Sequence, residues 1–424
     1  MNTSRIGVAI LAVITTSLPL LGGCAQPSKP APPPTAGVEA ASGLPVDGDF
    51  SGSGTGTLKS AKTLPTVDRR ILKVTSLAAR IEYESKSGID GASHVVSGSV
   101  FVPKGDPPAG GWPIVAMGHG ITGIQQECGP SLWPNLLGAS EPVATLVNLG
   151  FLVTLPDYQG LGMDGSYHPY LDATTVGYNM IDAVKAARKL VPTASDRWLA
   201  FGSSQGGQAA WAANELAGDY GTGLQLVGSV SVSPAANVMG LADSAAAGDL
   251  TPEQASALQW VLVALKEEHP DLNLDDYRRG IVEEKWDVLS ACSGPLVAQR
   301  TDVTKEVTPD DMRPSTEEAT NQLREYLGRM GLPKTRAAAP MLVLFGDLDK
   351  VVAPQWTSDA LRGACELGSV IEAYSVPGRG HDDIDGAIAL GWVNQRFAGE
   401  EPKDSCTAPG GPVLPLPNKQ WYEE

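Results

Sequence analysis

Several kinds of site are missing from this 424-residue sequence. It has no Cys-x-x-Cys pair and no His-rich run, so no spacing in it points to a bound metal. Basic residues are scarce: 31 Lys and Arg stand against 48 Asp and Glu, a net charge of −17. That imbalance argues against nucleic-acid partners, although charge says nothing about fold. The apolar run at residues 6–21 is broken by Pro19 and is too short to cross a bilayer. Only five histidines and five cysteines are present, so any chemistry that needs them has few places to sit.

What is present at the amino terminus has the order of an export signal. Arg5 precedes the apolar run, which ends in Leu21-Gly22-Gly23-Cys24. Residues 1–23 therefore read as a signal peptide. The segment resembles the bacterial lipoprotein signal, with Cys24 as the lipidated first residue of the mature chain. Two or more acyl chains would hold such a protein at a membrane face, the outer face of the cell membrane or the outer membrane, without a spanning helix. Residues 24–48 are rich in Pro, Ala, Ser and Gly with few large apolar side chains, and read as a tether. Removing residues 1–23 takes away Arg5 and no acid, so the mature chain is more acidic still.

The chain is organised around Trp198-Leu-Ala-Phe-Gly-Ser-Ser-Gln-Gly-Gly-Gln208. Residues 198–201 read as a buried strand and residues 208–216 as a helix. Between them Gly202-Ser203-Ser204-Gln205-Gly206 fits G-x-S-x-G, in the strand–turn–helix context of a nucleophile elbow. The glycines select Ser204, because Ser203 would have Phe201 and Gln205 at the positions that must be small. The plain alternative is a Gly/Ser turn that caps a helix.

Elsewhere, residues 71–84 and 93–102 alternate apolar with polar and read as an antiparallel pair. Residues 113–117, 151–155, 226–232, 341–345 and 370–376 are apolar strands, with helices at 174–190 and about 384–397. Strands alternating with helices imply a mainly parallel sheet with right-handed crossovers. The alternation stops at residues 238–338, which contain helical stretches but no buried strand. Thr251-Pro252-Glu253-Gln254 there is a capping-box start. So long an insertion reads as a helical cap, with core segments at 49–237 and 339–424.

A serine hydroxyl needs a general base, usually His oriented by a carboxylate. In the α/β-hydrolase fold to which such an elbow belongs, a mainly parallel sheet with helices on both faces, the order is Ser, acid, His. His381, in Pro377-Gly-Arg-Gly-His-Asp-Asp383, follows the last strand at the ligand-binding edge of the sheet. His269 sits in the cap and His119 reads as structural. The acid lies in Phe345-Gly-Asp-Leu-Asp-Lys-Val-Val-Ala-Pro354, which offers Asp347 and Asp349. Backbone N–H groups of Gln205 and Ile121 are the expected oxyanion donors. Asp157 and His168 read as groups that fix the loop after residue 155. Leu258, Trp260, Val261 and Leu265 could line an acyl tunnel or simply pack the cap.

With these residues in place, the sequence resembles the secretory lipase family of α/β-hydrolases, of the fungal lipase A type. The resemblance is carried by His119-Gly-Ile-Thr-Gly123, Pro156-Asp-Tyr-Gln-Gly-Leu-Gly162 with His168-Pro-Tyr-Leu171, the elbow and the insertion, across roughly residues 65–400. It implies a Ser204–Asp349–His381 triad, with Asp349 favoured over Asp347 by its G-x-x-D-x-x-V turn, oxyanion donors Gln205 and Ile121, and no cofactor. The implied substrate is a small-molecule or lipid ester. One departure is His119-Gly120-Ile121, where lipase A type enzymes have an acidic residue at the donor position; chain-length preference is left open. Of the four cysteines after Cys24, three pairings are possible. Cys128 lies past the oxyanion segment, Cys292 in the insertion that should sit above it, and Cys365 and Cys406 flank the last strand and helix. Cys128–Cys292 and Cys365–Cys406 thus join neighbours in the fold, and the resemblance, in which the cap is also tied to the core, points the same way. Fold and triad do not fix the acceptor, so an acyltransferase or peptidase stands beside the esterase, and a non-catalytic lipid-binding lipoprotein beside both.

Overall fold

A computed structural model of the chain describes residues 43–384, 386–408, 411–414 and 416. Cys24, the signal segment and most of the expected tether lie outside the described residues. Strands β1 (Leu58–Thr63), β2 (Thr75–Lys86), β3 (Ser93–Pro103), β4 (Trp112–Gly118), β5 (Leu152–Pro156), β6 (Ala194–Ser203), β7 (Gln225–Val232), β8 (Met341–Gly346) and β9 (Ile371–Val376) form one sheet. Their order is β1-β2-β3-β5-β4-β6-β7-β8-β9. The pairings from β1 to β5 are antiparallel, and those from β5 through β4 to β9 are parallel.

The apolar runs in the sequence become the parallel centre because both of their faces are covered. Helices Ala173–Leu190 and Gln205–Tyr220 pack Val176, Met180, Ala209 and Ala213 on one face. Helices Ser140–Asn148 and Ala387–Ala398 pack Val143, Leu146, Trp392 and Val393 on the other. This is the mainly parallel sheet expected from the alternation, in the arrangement that the resemblance to α/β-hydrolases implies.

The antiparallel edge differs in detail. Residues 71–74 are not strand: they belong to helix Arg69–Val74, started by the Asp68 carboxylate accepting from Arg70 N–H. One buried residue, Ile71, is enough to seat so short a helix. Strand β1 was invisible in the sequence because only Leu58 and Ala61 of Leu58–Thr63 are buried. Residues 44–46 run along β1, inside the stretch whose composition reads as tether. Leu44 N–H donates to Thr63 Oγ1 (2.9 Å) and Val46 N–H to Ala61 O (3.0 Å). They cover an edge that would otherwise offer unpaired backbone groups.

Between β7 and β8 the chain is helical, with no strand among the described residues. Thr251, Pro252 and Gln254 start helix Pro252–Glu268 with the expected capping box. Leu241, Leu258, Val261, Leu265, Leu323 and Leu327 form its apolar core, and Ile124, Tyr170, Leu171 and Val352 from the loops of the sheet belong to the same cluster. Cap and sheet are therefore packed together as well as covalently tied. Cys128 is bonded to Cys292 across 164 residues, and Cys365 to Cys406 across 41. Gly123 is pressed so closely against the first bridge that a Cβ would overlap Cys128 Sγ.

The first bridge spans the loop under the cap and the cap itself. Loss of it in Cys292→Ser should reduce stability by on the order of 3–5 kcal/mol in urea melts, less any native strain. With the ester chemistry that the resemblance implies, reduction of the parent should raise hydrolysis of bulky esters relative to small ones before the far-UV signal changes. Equal relative rates before and after reduction would show that the bridge does not restrain the cap.

Candidate active site

Strand β6 ends level with both neighbours, Gly202 opposite Gly118 of β4 and Ser203 opposite Val232 of β7. Ser204 follows with φ 58° and ψ −120°, a conformation that L-residues rarely adopt. Such strain persists only when the surroundings enforce it. They do so here by backbone contact. A Cβ on Gly202 would overlap Gly206 O, and one on Gly206 would overlap Gly118 O. Ser204 N–H donates to Val232 O (2.9 Å), and the residue stands just before helix Gln205–Tyr220. Its hydroxyl makes no capping bond to that helix, which removes the reading of Ser204 as an ordinary helix cap. The side chain is half-buried.

His381 and Asp349 meet across the ends of β9 and β8. His381 Nδ1 lies 2.8 Å from Asp349 Oδ2. Asp349 Oδ1 accepts from Val351 N–H (2.8 Å) and Val352 N–H (2.9 Å), so both carboxylate oxygens are held. The side chains are 9% and 1% exposed. A carboxylate facing Nδ1 keeps the proton there and leaves Nε2 as the basic nitrogen. That Nε2 is buried and has no hydrogen-bond partner among the described residues. Ser233 Oγ donates to His381 O (2.9 Å), and Ser233 directly follows the residue that holds Ser204 N–H. The loop of His381 and the backbone of Ser204 are thus fastened to the same strand end. Asp347 is exposed and accepts from Gly378 N–H (2.6 Å), which braces the neighbouring turn.

Gln205 opens the elbow helix, where N–H groups lack intrahelical partners. Gly120 comes so near the elbow that a Cβ on it would lie 3.8 Å from Ser204 Cβ, which brings the segment carrying Ile121 alongside. Ile121 is half-buried against the cap cluster. His119 is buried, with its ring nitrogens facing Gly120 O (2.7 Å) and Asp157 O (3.2 Å) and its ring stacked on Tyr158 at 4.4 Å. Burial lowers its pKa against the pull of the two carbonyls, and so enclosed it stands as a structural group.

Asp157 accepts from Ser97 Oγ (2.6 Å) and Ser131 N–H (2.8 Å), which ties the loop after β5 to the turn at Pro130–Leu132. His168 does more than fix that loop. Its Nδ1 lies 2.9 Å from Gln159 O, which can only accept, so Nδ1 carries the proton. Nε2 then accepts from Gln205 Nε2 at 2.8 Å. The side chain of the expected oxyanion donor is thereby held by a neutral histidine. Sequence reasoning marked His168 in its motif but had no means of seeing this partner, 37 residues away. Leu258, Trp260, Val261 and Leu265 are all buried within the cap cluster and act as its packing.

A half-buried serine in a strained elbow, with a carboxylate-oriented histidine at the same sheet edge, defines the α/β-hydrolase class. The chain belongs to the secretory lipase family, whose model matches residues 140–405. It is accordingly a carboxylic ester hydrolase acting on small-molecule esters, and the family together with the two disulfides marks it as exported. Among solved structures it is similar to Candida antarctica lipase A in its closed state, with a TM-score of 0.69 and 15% identity over 89% of this chain and 91% of that one. It is also similar to the rice cell wall degrading esterase LipA from Xanthomonas oryzae (TM-score 0.65, 20% identity, 82% and 97% covered). A putative hydrolase from Legionella pneumophila gives 0.63, 19%, 80% and 96%. At such identities these likenesses speak for the fold, and the family match carries the chemistry. A search of curated protein sequences gives no match.

Burial pushes the pKa of His168 down to about 3. The unfolded chain, with an ordinary histidine near 6.5, takes up the proton first on acidification. Stability from this group is complete above about pH 6.5 and is lost as pH falls toward 3, by at most about 1.4 kcal/mol per pH unit. His168→Gln should flatten the decline measured by urea melts between pH 6 and 4 (roughly the middle of that window). A variant as steep as the parent would assign the acid sensitivity elsewhere.

Proposed function

We propose that the protein is an extracytoplasmic, lipid-anchored esterase that works through Ser204, His381 and Asp349 and an acyl-enzyme. Ser204 Oγ attacks the ester carbonyl while His381 Nε2 takes its proton. Negative charge on the carbonyl oxygen is met by the N–H groups of Gln205 and Ile121. Collapse of the tetrahedral intermediate breaks the carbon–oxygen bond to the alcohol, which leaves with the proton from His381. Water then enters, gives a proton to His381 and attacks the acyl carbon, and Ser204 recovers its proton as the carboxylic acid departs. Asp349 holds the Nδ1–H tautomer and stabilises the imidazolium. Donors fixed before the reaction need no reorganisation when charge develops, which makes this term large.

The observation that carries the reading is the His381–Asp349 pair, with Nε2 unpartnered, fastened to the strand end that also holds strained Ser204. In domain terms, residues 49–237 and 339–424 form the hydrolase core and 238–338 the cap. Cys24 carries the anchor that holds the enzyme at the outer face of the cell membrane or at the outer membrane.

Ser204→Ala and His381→Ala should each lower kcat by several orders of magnitude, with Ser203→Ala mild. Asp349→Asn should cost far more than Asp347→Asn, and labelling by a fluorophosphonate should fall on Ser204. An active Ser204→Ala with a dead Ser203→Ala would move the nucleophile, and the reverse order of the Asp variants would move the acid. Separately, Cys24→Ser should release the protein from membranes and abolish incorporation of radioactive fatty acid. Unchanged fractionation, with no lipid on the parent, removes the anchor from this account.

A further inference from the structure

We infer that Tyr158 is a positioning residue of the ester reaction: acting through His119, it sets the direction of the Ile121 N–H that meets the developing oxyanion. This rests on the Ser204–His381 reading above, with Ile121 as a donor, and adds a residue outside the triad to it. Ile121 lies in Gly118-His119-Gly120-Ile121-Thr122-Gly123, where three of six residues are glycine. Glycine leaves the backbone loose, and the Ile121 side chain has no polar atom with which to brace it. The Gly120–Ile121 peptide is trans, and in a planar trans peptide C=O and N–H point in opposite directions. Whatever holds Gly120 O therefore aims Ile121 N–H. His119 holds it: Nδ1 lies 2.7 Å from an oxygen that can only accept, so Nδ1 is the donor. Ile121 N–H donates to no group among the described residues, which leaves it open to a ligand.

Tyr158 fixes His119 in turn. The two rings stack with centroids 4.4 Å apart, and Tyr158 Oη donates to His119 O (3.1 Å). Asp157 O lies 3.2 Å from His119 Nε2, so the neighbour of Tyr158 faces the edge of the same ring. One loop thus holds the imidazole by its face and its edge, and the His119 carbonyl by a hydroxyl. Tyr158 is fully buried, and burial raises its pKa, so the hydroxyl keeps its proton and remains a donor. A Cβ on Gly118 would lie 2.8 Å from Tyr158 Oη, so the hydroxyl reaches the end of β4 only because glycine stands there. Tyr158 also has φ 74°, a left-handed value that costs a residue with a side chain. Both neighbours help to hold it: Asp157 N–H donates to Ser97 O (2.8 Å) and Gln159 N–H to Asn179 Oδ1 (2.8 Å). Strain of this kind gathers at active sites, where it pre-organises the groups that react.

The test is Tyr158→Phe in the full chain, which removes the hydroxyl and keeps the stacked ring. With p-nitrophenyl butyrate its kcat should fall about tenfold to a hundredfold, less than loss of a whole donor, while KM changes by less than about twofold. Affinity for butaneboronic acid, whose adduct with Ser204 is tetrahedral, should fall by the same factor as kcat/KM. A merely structural loss would not single out the tetrahedral state. Tyr170→Phe takes the hydroxyl from a buried tyrosine of the same loop that, among the described residues, bonds none of the oxyanion segment, and should keep the parent kcat. His119→Ala should be at least as slow as Tyr158→Phe, and the double variant no slower than His119→Ala, because the two act in series. Parent kcat in Tyr158→Phe, a loss confined to KM, an equal loss in Tyr170→Phe, or a double variant slowed by the product of the single factors would overturn the role of Tyr158 and leave the triad standing. A parent that neither labels with fluorophosphonate on Ser204 nor hydrolyses p-nitrophenyl butyrate would instead sink the hydrolytic reading, and this inference with it.

Discussion

Everything at this site depends on three backbones touching where side chains are absent. Gly118 of β4, Gly202 of β6 and Gly206 of the elbow helix approach so closely that a single Cβ on either Gly202 or Gly206 would overlap a carbonyl oxygen. That contact lets the helix begin immediately after the strand, and the abrupt start forces Ser204 into its unusual dihedrals. The same contact leaves the Gln205 N–H at an open helix end and brings Gly120 to the flank of the serine. Glycine here is a matter of space more than of flexibility: none of the three has a left-handed φ.

The centre of the fold and the polar part of the site were legible because they are written in short-range chemistry. Continuous apolar runs bounded by turns can only be covered strands. The G-x-S-x-G spacing, the Asp-rich turn after β8 and the glycine-flanked His381 each state a local requirement. Asp347 and Asp349 were separated by the resemblance, and the structure shows the physical difference: one is exposed in a turn, the other is buried with both oxygens engaged. What was not legible depends on distant partners. Strand β1 has too few buried residues to announce itself, and residues 44–46 are ordered by pairing with it. The left-handed pair Leu136–Leu137 carries no Gly or Asn signal, and the hold of His168 on Gln205 exists only once two loops have been brought together.

The cap is a second instance of local pattern completed by long-range contact. Its helices were visible from capping chemistry and periodicity. Its attachment was not, since Ile124, the pair Tyr170–Leu171, and Val352 come from three separate turns around the site and pack into the cap as though they belonged to it. Removing the cap would therefore expose apolar groups on the core, and the disulfide adds a covalent limit to a boundary already closed by packing.

The end of β7 holds both proposed partners: Val232 O accepts from the Ser204 N–H, and Ser233 Oγ donates to His381 O. The proposed nucleophile and base therefore ride on one mount. A displacement of β7 relative to the rest of the sheet would carry the two together and leave their separation nearly constant. A shared mount of this kind keeps two groups aligned much as two instruments bolted to one rail stay aligned when the table moves.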